Sequence, residues 1–149
     1  MAGEILTIVP PIIVNENFEM ESCGDVTCYP SEDEVYAYFE EWFADEAHFA
    51  VDSRGQVMKL FNIPALGLQL RGIGGPARPE LFRRYFLSIH HRSDPATISE
   101  KETSLGHDEI CKQAMDFAQA EADLRNSFTL TRWFKELFRD IGRWATGRG

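Results

Sequence analysis

The stretch SEDEVYAYFEEWFADEAHFAVDSRGQVMKLF, residues 31–61, runs from a helical apolar pattern into a hairpin, and that change decides the fold class. Ser31 precedes three acids, so its hydroxyl can accept the Glu34 backbone N–H while the Glu34 carboxylate reaches back to Ser31. Glu32, Asp33 and Glu34 then sit at the positive end of the helix dipole. Val35, Tyr38, Phe39, Trp42 and Phe43 recur at helical spacing, which predicts one helix over residues 32–45 burying this face. Asp33, Ala37, Glu40 and Glu41 fall largely on another face. Residues 48–52 and 56–61 read as two strands around Asp52-Ser53-Arg54-Gly55, with Gly55 suited to the left-handed position that closes such turns.

Outward from this core, short extended segments precede it and helices follow. Residues 4–9 and 12–14 are rich in Ile and Val. Pro10 and Pro11 deny them two ladder donors, so they are expected at a sheet edge or beside a turn. Residues 26–29 read as a further strand ended by Pro30. Leu66, Leu68 and Leu70 alternate with Gly67, Gln69 and Arg71, the period of a half-buried strand. Residues 72–79 form a loop, and Pro79 opens a helix with Leu81, Phe82, Tyr85, Phe86 and Ile89 on its apolar face. Residues 91–106 lack periodicity and read as a mobile connection. Two more helices are expected, over residues 107–126 and 129–145. The fold class is therefore α+β: a small, mostly antiparallel sheet packed against a capped N-terminal helix and three C-terminal helices. Residues 1–149 form one domain, with a strand-rich acidic part at 1–71 and a helical part at 79–146.

Charge is distributed unevenly along this order. Residues 1–53 hold thirteen of the 24 carboxylates and no Lys or Arg, a charge of −13, while the rest of the chain carries +4. Such a field repels phosphates, so nucleic acid is not an expected partner. It steers and selects basic partners instead. The 44% hydrophobic content excludes global disorder despite the net charge of −9. Three cysteines, Cys23, Cys28 and Cys111, suit a reducing compartment, and the segment 5–14 is short and split by prolines, unlike a leader or a membrane span. The expected location is the cytoplasm.

Motifs that could carry chemistry are weak. Gly72-Ile73-Gly74-Gly75 lacks phosphate-loop spacing and is followed by Pro76. Cys23 with Cys28 and His107 with Cys111 could supply metal ligands, but neither spacing is that of a zinc ribbon or finger. His90, His91 and Asp94, or Cys111 with His107, would need a base within reach of its nucleophile and a third group to orient it. No catalytic residue, metal or cofactor is assigned. The last helix sets Arg132, Lys135, Arg139 and Arg143 beside Leu130, Trp133, Phe134, Leu137, Phe138, Ile141 and Trp144. That stripe is expected to dock on the core, with a membrane surface as the alternative.

The run over residues 24–60 resembles small bacterial immunity-type proteins through Tyr29, Ser31, Tyr38, Glu40, Asp52 and Gly55. The resemblance covers about a quarter of the chain and implies a cytoplasmic antidote that binds and blocks a cognate toxin domain. A carboxylate-rich surface would imitate the phosphates held by a basic toxin cleft. The expected partner-binding residues are Glu32, Asp33, Glu40, Glu41, Asp45 and Glu46, with Tyr36 as aromatic anchor. The alternative is a small metal-dependent or hydrolytic enzyme using His48, Asp52 or the His90–His91 pair.

Overall fold

The computed structural model describes the backbone of residues 5–90 and 104–145, and the side chains of these as far as Ser127, His90 excepted. Five antiparallel strands form one sheet: β1 (Ile12–Glu16), β2 (Asp25–Tyr29), β3 (Phe49–Asp52), β4 (Val57–Ile63) and β5 (Gly67–Gly72), in the order β2-β1-β3-β4-β5. The helices are α1 (Glu32–Tyr38), α2 (Pro79–His90) and α3 (His107–Ala145), with a short 3-10 turn at Glu41–Asp45.

Alternation along the strands gives the sheet two apolar faces. On one, Ile13, Val26, Cys28, Val51 and Val57 meet Leu81, Phe82, Tyr85 and Phe86 of α2 and Ile110, Ala114 and Ala118 of α3. On the other, Ile12, Val14, Tyr29, Ala50, Met58, Leu60, Leu68 and Leu70 meet Val35 of α1 and Phe43 of the 3-10 turn. The small Ala residues bring α3 close enough for the buried Cys28 thiol to donate to the Ala114 carbonyl at 3.5 Å. Arg125 of α3 lies over the rings of Tyr29 and Tyr38, 5.3 and 5.7 Å from their centroids. It therefore ties the helix on one face to α1 on the other, past the edge strand β2.

The α+β class stands, and several expected elements are redrawn. The two helices expected over residues 107–126 and 129–145 are one continuous helix of 39 residues, because nothing between Asn126 and Thr129 is a Pro or Gly. Two C-terminal helices, not three, are present among the described residues. Residues 91–103, which include most of the expected mobile connection, lie outside the described residues, as do the side chains of the last amphipathic stripe. Residues 5–9 are not a strand. Val9 instead donates its N–H to the Asp52 carboxylate at 3.0 Å, and its carbonyl accepts from the Ser53 N–H and hydroxyl. The prolines precede β1, which is a central strand and not an edge, so they take nothing from its ladder. Leu66 lies in the β4–β5 turn and is exposed, leaving only Leu68 and Leu70 of the expected alternation in the core.

The largest revision concerns the capped helix. Ser31 does accept the Glu34 N–H, at 3.3 Å, and the three acids follow it. The helix ends at Tyr38, however, and Phe39 and Glu40 are extended before the 3-10 turn begins. The break lets Phe39 and Phe43 stack at 4.1 Å against the sheet. It turns Tyr38 and Trp42, expected in the core, outward to 55% and 60% exposure.

Gly55 is required where the β3–β4 turn meets α2. Its φ is +87°, and a Cβ there would lie 2.3 Å from the Pro79 nitrogen. That approach permits the Arg78 N–H to bond the Gly55 carbonyl at 2.7 Å.

Candidate functional site

Two of the candidate acids, Glu32 and Asp33, lie in the first turn of α1. Glu32 accepts the Tyr36 hydroxyl at 3.1 Å, and that hydroxyl accepts the Leu70 N–H from the outer edge of β5 at 3.0 Å. Tyr36 is half-buried, and its polar end is committed to closing a sheet edge. Burial pushes its phenol above the ordinary tyrosine range. Asp33 is exposed at the dipole end of the same helix.

Glu40, Glu41, Asp45 and Glu46 are different. All four are exposed on or beside the 3-10 turn, and among the described residues none joins an ion pair. The contrast is Glu21, which sits between Arg78 and Arg84 and is held down at about 2 by their hydrogen bonds and charge. Arg78, just before α2, and Arg84 within it thus neutralise the β1–β2 loop and not the 3-10 turn. Glu40 accepts only the Trp42 indole N–H, which fixes that exposed ring.

Two of the open grooves that this turn helps to line set candidate acids beside aromatic residues. Tyr36, Phe39, Glu40, Glu41, Leu66, Leu68 and Gln69 line one of them. The other is lined by Glu16, Asn17, Phe18, Trp42, Phe43, Glu46 and Ala47. The structure therefore brings Glu40, Glu41 and Tyr36 together and places Glu46 with residues that the sequence reading did not choose. Phe18 is 86% exposed. Its sequence signal was a lone aromatic among Asn15, Glu16, Asn17 and Glu19; Trp42 gave none, since no Pro or Gly marks the helix break. No protein-family model, curated protein or solved structure matches this chain. The face must be read from its own chemistry.

The residues considered for catalysis are engaged elsewhere. The buried Asp52 carboxylate accepts four bonds: from Val9 N, Arg54 N, Gln56 N and Gln56 Nε2, at 2.7–3.0 Å. His48 is buried with Nδ1 2.8 Å from the Glu46 carbonyl, while Nε2 accepts the Leu60 N–H at 2.8 Å. Nδ1 therefore carries the proton, and both nitrogens are used. Burial, outweighing that carbonyl, lowers the His48 pKa.

A histidine neutral in the fold and protonated when unfolded binds fewer protons in the native state. Its contribution is complete above the ordinary histidine range and is lost as pH falls below about 6.5 toward the depressed native value. Urea midpoints at pH 7.5 and 5.5 should show a drop for the native chain, and that drop should shrink in His48→Gln. An equal drop in both would contradict the assignment.

His107 and Cys111 do meet, with Nε2 3.3 Å from Sγ, yet they do not form a nucleophile and base. Nε2 also lies 2.6 Å from the Ser53 carbonyl, which can only accept, so this nitrogen carries a proton and cannot take the thiol's. Burial, then Asp108 and Asp52, raise the Cys111 thiol. The pair docks the start of α3 onto the β3–β4 turn. Iodoacetamide at neutral pH should alkylate exposed Cys23 several-fold faster than Cys111, read by mass spectrometry. Preferential labelling of Cys111 would restore it as a nucleophile. Among the described residues no three His, Cys, Asp or Glu side chains gather as a metal site, and no helix is long and apolar enough to cross a membrane. His91 and Asp94 lie outside the described residues, as does the side chain of His90.

Proposed function

We propose that this protein is a non-catalytic, immunity-like binding protein that neutralises a cognate toxin domain by covering a basic cleft with its acidic face. The observation that carries this reading is the 3-10 turn. Four exposed carboxylates, without cationic partners among the described residues, stand there beside an exposed Trp and Tyr. Surface charges of one sign add little to stability and are mutually repulsive. Toward a cleft built to hold phosphates they accelerate encounter and exclude substrate, while the aromatic rings supply contact area. The buried, fully bonded states of His48 and Asp52 support a binding role over hydrolysis. A reducing, cytoplasmic setting suits the free Cys23, Cys28 and Cys111.

The test is calorimetric titration of the product of the adjacent reading frame into the purified chain. A complex whose affinity falls steeply between 50 and 300 mM salt, conditions spanning roughly a twofold change in screening length, supports the reading. Absence of a complex at low salt removes it.

A further inference from the structure

We propose that the groove between the Phe18 loop and the 3-10 turn receives an arginine side chain of a basic protein partner. This rests on the binding role above and specifies the chemistry of one part of that face. Phe18 and Trp42 form exposed walls, the buried Phe43 and the half-buried Ala47 contribute apolar floor, and Glu16 and Glu46 supply two carboxylates. The volume, about 500 Å³, accommodates a long side chain with room for its neighbours.

The loop that carries Phe18 and the Trp42 ring are both held in place before any partner arrives. Asn15 and Asn17 each donate a side-chain N–H to the Ser22 carbonyl, at 2.8 and 3.0 Å, and Asn15 accepts the Gly24 N–H at 2.9 Å. These bonds brace the loop that carries Phe18. Trp42 is fixed by Glu40 and meets the Phe43 ring edge-on at 6.2 Å. The fixed Trp42 ring loses little entropy when covered.

Charge complementarity selects the occupant. Glu16 faces Asp25 directly across β1 and β2, a like-charge pair that destabilises the strand ends. Burial and then Asp25 raise the Glu16 carboxyl. A cation in the groove relieves that repulsion. Guanidinium fits better than ammonium, because its plane stacks on an aromatic ring while its edge donates to carboxylates.

The experiment titrates the full chain with hexa-arginine amide and, separately, hexa-lysine amide, following the Trp42 indole N–H and Phe18 amide resonances. The arginine peptide should shift both and bind at least fivefold tighter than the equally charged lysine peptide. Phe18→Ala with Trp42→Ala should weaken it at least tenfold and remove the preference; both side chains are exposed, and circular dichroism checks the fold. Equal affinity for the two peptides would overturn the arginine assignment. So would shifts confined to Glu40 and Glu41, or concentration-dependent shifts without peptide, which would mark a second copy as the occupant. Loss of toxin binding on reversing Glu40 and Glu41, with none in the aromatic variant, would retain the binding role and reject this groove.

Discussion

With Glu40 and Glu41 both changed to Lys, affinity for the basic partner is expected to fall at least about a hundredfold at low salt. Two exposed anions become two cations on a turn that pairs with no base among the described residues, so attraction is replaced by repulsion. Most of the loss should appear in the association rate, and it should narrow as salt rises. Folding should be unaffected, because neither side chain is buried or, among the described residues, joined to another element by an ion pair. Glu40 does hold the Trp42 indole, so part of the effect comes through that ring. Glu41→Lys alone separates the two contributions and should lose roughly tenfold. Stopped-flow association at two salt concentrations, with circular dichroism of each variant, measures this. An unchanged association rate at low salt would show that these acids form only a solvated surface.

Asp52→Ala is expected to lower stability by about 3–4 kcal/mol, a large fraction of the roughly 5–15 kcal/mol that holds a domain together. Four donors converge on this carboxylate, and three are backbone N–H groups that would lose their acceptor beside a buried turn. The same turn receives His107 from α3 and Val9 from the N-terminal segment, so the damage would spread to both. Asp52→Asn keeps one accepting oxygen and should lose less, about 1–3 kcal/mol. Urea denaturation at pH 7.5 decides the point. A loss under 1 kcal/mol for the alanine variant would mean that the carboxylate is not a structural hub and would return it to consideration for chemistry.

These two residues mark where the sequence was readable. Asp52 and Gly55 belong to a short turn, and local turn chemistry signals itself in the residues that make it. The Ser31 cap and the alternation of Leu68 and Leu70 were legible for the same reason. The helix break at Phe39–Glu40 was not, because it is a tertiary effect. Val35, Phe39 and Phe43 pack on the sheet across the interruption, and no Pro or Gly announces it. Helical spacing therefore assigned Trp42 and Tyr38 to the core, when the break exposes them beside the acids. The fusion of the last two expected helices has the opposite origin. Polar Asn126 and Ser127 resembled a boundary, yet neither residue stops a helix that is packed along its preceding turns.

The candidate site was partly legible in the same sense. Glu40, Glu41, Asp45 and Glu46 could be chosen because charge is visible in composition, and no base stands near them in sequence. Glu16 and Phe18 could not, since their proximity to Trp42 and Glu46 depends on β1 lying beside β3 in the sheet. Tyr36 shows the limit of choosing an anchor by helical position. Its hydroxyl turned out to close the β5 edge, a contact between elements 34 residues apart.

The most direct measurement is growth of cells that express the product of the adjacent reading frame together with this chain. The wild-type chain should restore growth, and the folded Glu40→Lys, Glu41→Lys variant at equal abundance should not. Full protection by that variant, or an adjacent product that harms no cells, would contradict neutralisation through the acidic face.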